Sequence, residues 1–555
     1  MISLKSKNIT SNCVLFFIIL QLLFLVNVPD ISANPASRIL HTLDQPDGFA
    51  FQARQWGDEF YHGWETEDGY TIAFDKLLQS WAYAVNDSGG NLVVSPFVVG
   101  KTSPPEGMEK HLRLTGDALL RLKKVRVDYG RAPLYMVSPL SIEPMTPRTG
   151  TNYILVLLVN FTDTTPLFNK EDYEDVYFKK GSRSLADYFS EVSYGKLTVT
   201  SGPGGIQDWW TAPNTHNYYG ADDPDDPFHN DVKLPEAPLA AIKVLDSKDF
   251  NFAPYDQDGD CYVDTVAFVF QGKPQSSTKV ADDIWPRQSE IKPEYVTKTP
   301  CPKGGKIIVK KYTVQTEQEA DGKIATIGTF AHEYGHALGL PDLYDTTEKS
   351  VGAGVWTVMG NGESNRRSKE GREGDSPAHF DAWSKFYLGW VTPVKVTSPL
   401  INESIPPVED TPKVYQFLTG TKNSGEYFLV ENRQWKGFDY GIPGRGLLVW
   451  HIDGNLINNT WEADQNTVNN YACNNGIPCS TRHFGVALQQ ADGKWHMEKK
   501  TGDWNYGDEG DPYPGSTTNT SFTDTSNPNS KLYNGTQSGI SITDISMPAD
   551  EWNVT

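Results

Sequence analysis

One stretch constrains this chain more than any other: residues 329–345, TFAHEYGHALGLPDLYD. His332 and His336 are four residues apart, so on a helix they share a face and converge on one point. Neutral imidazole is a zinc ligand, and two of them one turn apart, the first followed by glutamate, are a metal-hydrolase spacing. Glu333 is then not a ligand but a base, placed to take a proton from water activated at the ion. Gly339 can adopt a left-handed backbone and stop the helix, and Pro341 cannot continue it. The turn delivers Asp342 as a third ligand and leaves one position for water, as catalytic zinc requires. Glu348 and Glu363 stand downstream as alternative third ligands.

The continuation fits the same reading. His-Glu-x-x-His-x-x-Gly-x-x-Asp is the metzincin spacing with Asp in place of the last His. Residues 354–360, GVWTVMG, supply Met359 as a Met-turn beneath the ion. The position two past Met359, where some metzincins carry a tyrosine, is Asn361; Tyr344 and His379 are the candidates left for stabilising an oxyanion.

Composition narrows the function classes. A net charge of −21 and a pI near 5.0 exclude the basic surface that nucleic acid needs. The same acidity suits hard cations. Asp256, Asp258, Asp260, the Tyr262 carbonyl and Asp264 take positions one, three, five, seven and nine of a tight loop, which predicts a calcium site. Cys261 replaces the usual glycine, and position twelve is Ala267 rather than Glu, so the loop is expected to lead into a strand rather than form an EF-hand.

The N-terminus reads as a signal peptide over residues 1–33. Lys5 and Lys7 precede an apolar run over 14–28, and Ala33 ends a cleavage site. The mature protein is expected to be secreted, without stable membrane insertion. Of five cysteines, Cys13 leaves with the signal. The four others allow three pairings; a short Cys473–Cys479 loop leaves Cys261 for Cys301. Glycosylation sequons include those beginning at Asn86, Asn160, Asn402, Asn458, Asn519, Asn534 and Asn553.

The chain divides into a multidomain α+β arrangement. Residues 34–146 alternate apolar and polar positions, carry many aromatics and end in a Pro-rich linker, which predicts a β-rich propeptide-like region. With no cysteine there to plug a zinc site, a carboxylate is the expected blocker, from Asp47, Asp58, Glu59 or Asp68. Residues 147–396 form the expected α/β zinc protease domain: buried strands at 152–160 and 263–271, helices at 184–194 and from 239, and the motif helix from about 326. Residues 397–555, with strands at 426–431, 446–453 and 539–545, predict an all-β sandwich.

These features together resemble the immune inhibitor A-type family of secreted metallopeptidases. The resemblance rests on HEYGHALGLPDLYD, GVWTVMGNG, SPAHFDAWSKFYLGW, YDQDGDCYVD, EYFLVENRQWKGFDYGIPGRGLLVWHID and PDGFAFQARQWGDEFYHGWETEDGY. It implies a zymogen, a zinc endopeptidase domain and a β-rich C-terminal domain. The implied protein is a monomer acting on protein or peptide substrates, with zinc and calcium as cofactors. The alternative is a secreted binding module whose protease fold is inert.

Overall fold

The computed structural model describes residues 35–547 except 59–60, 76–77, 116–117, 119–145, 147, 223–230, 279, 348, 419, 421–424, 458–467, 470–482 and 499–504. The signal segment, the Cys473–Cys479 loop, Glu59, Glu348 and the Asn458 and Asn553 sequons lie outside these residues. Among the described residues no helix is long and apolar enough to cross a membrane.

The alternating N-terminal stretch forms a six-stranded antiparallel sheet. Its strands, in chain order across the sheet, are β1 (His41–Asp44), β2 (Ala50–Gly57), β3 (His62–Thr66), β4 (Thr71–Asp75), β5 (Ser80–Asn86) and β6 (Leu92–Val98).

A small parallel pair, β7 (Gly150–Tyr153) and β9 (Leu197–Thr200), precedes the main sheet. That sheet has the order β10 (Ile206–Thr211), β8 (Leu155–Asn160), β11 (Val266–Phe270), β13 (Lys306–Thr316) and β12 (Arg287–Pro300). The first four run parallel, and β12 is the antiparallel edge. Parallel strands need covering on both faces, and here both are covered. Val156 and Leu158 face α1 (Lys170–Tyr177), α2 (Leu185–Val192) and the motif helix. Leu155, Leu157 and Val159 face Ala241, Ile242 and Leu245. The short α3 (His216–Gly220) precedes α4 (Glu236–Ser247), which carries those last three residues.

Local signals fix several of these elements. Ser184 caps α2 reciprocally with Asp187: Ser184 Oγ accepts from the Asp187 amide at 3.1 Å, and Asp187 Oδ2 accepts from the Ser184 amide at 3.2 Å. The β12–β13 hairpin was not legible in the sequence. Pro293 and Pro300 and the charges of RQSEIKPEYVTKTP argue against a strand, yet an edge tolerates proline because one side of its ladder is open.

Cys261 and Cys301 form a disulfide, as the elimination from Cys473 and Cys479 predicts. Asn160 is a buried residue at the end of β8, so its sequon is not a surface site.

The C-terminal sheet has the order β14 (Val394–Lys395), β15 (Tyr415–Phe417), β16 (Glu426–Arg433), β17 (Gly446–Asp453) and β18 (Val486–Leu488). Its inner face does not meet a second sheet. Tyr427, Leu429, Leu448, Trp450 and Ile452 join the same hydrophobic cluster as Phe330, Tyr334 and Met359 of the preceding domain. Among the described residues a two-stranded ribbon, β19 (Phe522–Thr523) with β20 (Ser541–Ile542), and irregular chain cover the outer face. In place of the expected free-standing sandwich, the molecule has a sheet that shares its core with residues 147–396.

Candidate metal centre and active site

The metal motif begins on the helix α5 (Gly328–Ala337), buried along nearly its whole length. Its end is made as the sequence requires. The Gly339 amide donates to His336 O at 2.8 Å, the Leu340 amide donates to Gly335 O at 3.1 Å, and Gly339 sits at φ +91°. The chain turns back under the helix and brings Asp342 against both histidines.

The three donors form a nearly equilateral triangle. His332 Nε2 and His336 Nε2 are 3.0 Å apart, and Asp342 Oδ1 lies 3.1 Å from the first and 3.2 Å from the second. Ligands at zinc bond lengths of about 2 Å stand about 3.3 Å apart in a tetrahedron. The spare nitrogens are already used: His332 Nδ1 donates to Val358 O at 2.8 Å and His336 Nδ1 to Leu340 O at 2.8 Å. That leaves each Nε2 with its lone pair toward the triangle, the tautomer a metal ligand needs. Burial disfavours the His332 cation, yet the Asp342 carboxylate raises its pKa to about 10; the triangle calls for positive charge. The donor set fits zinc.

Two of the alternatives for the third ligand are now separable by position. Among the described residues the converging set is His332, His336 and Asp342, without Glu363, while Glu348 lies outside them. Glu363 is nevertheless close enough to act on the His332 charge.

Glu333 is fully buried, and neither of its carboxylate oxygens has a well-formed hydrogen bond. Burial raises its pKa to about 8, against an opposing pull from His332. The Arg287 guanidinium and the Gln288 amide, both at the start of β12, act on it as well. Sequence reasoning missed these two residues, because nothing local marks RQSE as facing an active carboxylate.

The Met-turn lies where the motif predicts. Met359 is wholly buried, its carbonyl accepts the Leu343 amide at 2.7 Å, and Gly335 on α5 is the residue it packs beneath. Tyr344 lies flat beside His332, with ring centroids 6.3 Å apart and planes at 29°. His379 is not free for an oxyanion. Its Nε2 pairs with Glu191 Oε1 at 2.8 Å and its Nδ1 accepts from Lys385 Nζ at 3.0 Å, inside a buried charge network. Lys385 belongs to α6 (Ala382–Tyr387), which packs under the C-terminal sheet.

The acidic loop is partly as expected. Asp256, Asp258 and Asp260 bring carboxylate oxygens within 4.8 Å of one another. Asp264 turns inward and accepts from the Gln257 amide and Gln257 Nε2, both at 3.0 Å. Tyr262 makes a bridge to Ile308 that fastens the loop to β13. Of the four carboxylates expected to block the metal, Asp47 pairs with Lys101 at 3.0 Å and Asp58 holds the Tyr61 amide at 2.9 Å, both within the N-terminal sheet's own turns. Asp68 is exposed in a turn. Among the described residues of the N-terminal region, Pro35 and Ser37 line a cleft at the start of α5. The Ser37 amide donates to Ser276 O at 2.7 Å and Ser37 Oγ donates to Glu373 Oε1 at 2.6 Å.

Comparison with known proteins finds similarity over the part of the chain that carries this site. Residues 144–391 match the family model described as "Immune inhibitor A peptidase M6, catalytic domain". Immune inhibitor A of Bacillus thuringiensis subsp. alesti is 29% identical over 331 residues, covering 50% of this chain and 45% of that protein. The pre-pro-metalloprotease PrtV of Vibrio cholerae serotype O1 is 26% identical over 329 residues, covering 49% of this chain and 33% of that protein. The chain thus spans less than half the length of these curated relatives.

Proposed function

We propose, from the match of residues 144–391 to the immune inhibitor A M6 peptidase catalytic domain, that this chain is a zinc-dependent endopeptidase acting on proteins. The observation that carries the proposal is the triangle of His332, His336 and Asp342 with Glu333 beside it. When bound there, zinc supplies Lewis acidity toward a carbonyl and makes nearby water more acidic. The chain's own part is proton transfer. Glu333 accepts the proton of the attacking water and returns it to the leaving amine nitrogen. Its buried, unengaged carboxylate and raised pKa suit a group that must both take and give a proton near neutrality.

The test is direct. Glu333→Gln should retain zinc, measured by mass spectrometry, and lose about 10²–10⁴-fold of casein cleavage. Activity within about tenfold of wild type would sink the assignment.

Two finer readings accompany it. Residues 34–146 act as a propeptide, supported by the seating of residues 35–38 in the cleft. Secretion, proposed from the signal-like first 33 residues, goes with that reading. Calcium braces the loop of Asp256, Asp258 and Asp260, where three carboxylates repel one another at close range. Asp258→Asn with Asp260→Asn should abolish any calcium-dependent rise in Tm; an unchanged rise places the ion elsewhere.

A further inference from the structure

A pocket lies at the start of α5, and three glutamates stand in its lining. Glu319, Glu363 and Glu373 line it, together with Thr329, which lies on α5 one turn before His332. Glu363 is 4% exposed; its Oε1 accepts from Ser364 Oγ, and its Oε2 is buried without a hydrogen-bond partner. An orphaned carboxylate oxygen at such a depth costs free energy until a donor reaches it. Glu319 accepts the Thr326 amide at 3.1 Å and Thr326 Oγ1 at 3.2 Å. Glu373 reaches across to Arg366 at 3.3 Å on the outer side.

The chain itself shows what kind of group the pocket accepts. Pro35 and Ser37 also line it, and Ser37 donates to Glu373. Arg38, the next residue, lies over the Tyr506 ring at 5.4 Å, and its guanidinium acts on Glu363. A hydrogen-bond donor and a cation are thus presented to the two carboxylates by an extended segment lying in the cleft.

We infer that this pocket, once residues 35–38 leave it, is a specificity site that receives a lysine or arginine side chain of the substrate, with Glu363 and Glu373 as its determinants. The inference rests on the endopeptidase reading. A cationic side chain fills the unused acceptor of Glu363 and relieves the repulsion between Glu319 and Glu373. An apolar side chain leaves both penalties in place, a neutral donor such as Gln relieves only the first, and an acidic one adds to them.

The experiment uses the full chain, expressed, processed and zinc-loaded, with a peptide library varied on both sides of the scissile bond. Lys and Arg should be enriched at one fixed position. With individual peptides, the ratio of kcat/KM for Lys over Gln at that position should exceed about tenfold and fall at least about fivefold in Glu373→Gln, with zinc content unchanged. Glu363→Gln should lower the same ratio. Cleavage with no basic preference at any position overturns the inference and leaves the endopeptidase reading standing. No cleavage by the zinc-loaded protein overturns both. Loss of zinc in Glu363→Gln, with an unaltered ratio in Glu373→Gln, assigns Glu363 to the metal and also overturns the inference.

Discussion

Asp342 owes its place to two residues that do no chemistry: Gly339, whose left-handed backbone turns the chain, and Met359, whose carbonyl holds the Leu343 amide next door. Asp342→Ala should therefore weaken zinc binding by far more than Glu363→Ala, because only Asp342 lies within 3.2 Å of both histidine nitrogens. Zinc titration against a chelator reads this, and equal affinities in the two variants would return the ligand role to Glu363. The convergence of His332, His336 and Asp342 was legible in the sequence because three-, four- and six-residue spacings on a helix and its turn leave little freedom. Arg287, Gln288 and the fate of His379 were not. Each is decided by a partner far along the chain, as with His379 and Glu191, 188 residues apart.

At the scale of elements, α5 and the Met-turn are fitted to each other. The Val358 carbonyl fixes the His332 ring, and Gly335 admits Met359 beneath the helix; a Cβ at Gly335 would strike Met359 Sδ. Gly335→Ala tests which force dominates. Helix propensity alone favours Ala by about 1 kcal/mol, whereas overpacking a core costs about 1–3 kcal/mol. The clash involves a buried side chain beneath the ligands, so we expect a lower Tm and weaker zinc binding. A higher Tm with undiminished zinc affinity would show that Met359 moves aside freely. The N-terminal sheet offers a second test. Glu65 is buried, which opposes its charge, but Arg113 at 3.2 Å and His111 at 2.9 Å override this and hold its pKa at about 2 against an ordinary 4.5. The folded value is depressed, so the stabilisation, about 3 kcal/mol, is fully present above pH about 4.5 and is lost as the pH falls through about 2. Acid unfolding of wild type should show this slope and Glu65→Gln should lack it; superimposable curves would refute the pairing.

At the scale of the whole molecule, the C-terminal sheet is part of the active-site scaffold. Arg433 on β16 is fully buried, grips Asp439 with two hydrogen bonds of 2.6 Å and donates to Trp356 O at 3.2 Å, three residues before Met359. From the other side Trp356 Nε1 donates to Asp511 at 3.0 Å, and Asn469 Nδ2 donates to Leu343 O at 2.9 Å. Residues beyond 430 thus hold both the Met-turn and the chain just after Asp342. Such a buried, bidentate charge pair costs desolvation but admits few alternative arrangements.

The sequence by itself determined that His332, His336 and Asp342 converge beside Glu333, the turn that unites them, and the apolar run of β8. Each of these is written in contacts between near neighbours or in a run too apolar to be exposed. Only the tertiary structure decided that β12 and β13 complete the main sheet, since charged edge residues carry no strand pattern until a partner strand is present. It alone decided that the C-terminal sheet shares a core with α5, because strand alternation says which face is buried and not what covers it. The grouping of three glutamates in the pocket at the start of α5 was equally hidden. Glu319, Glu363 and Glu373 stand 44 and 10 residues apart, and it is folding that sets three ordinary carboxylates around one space.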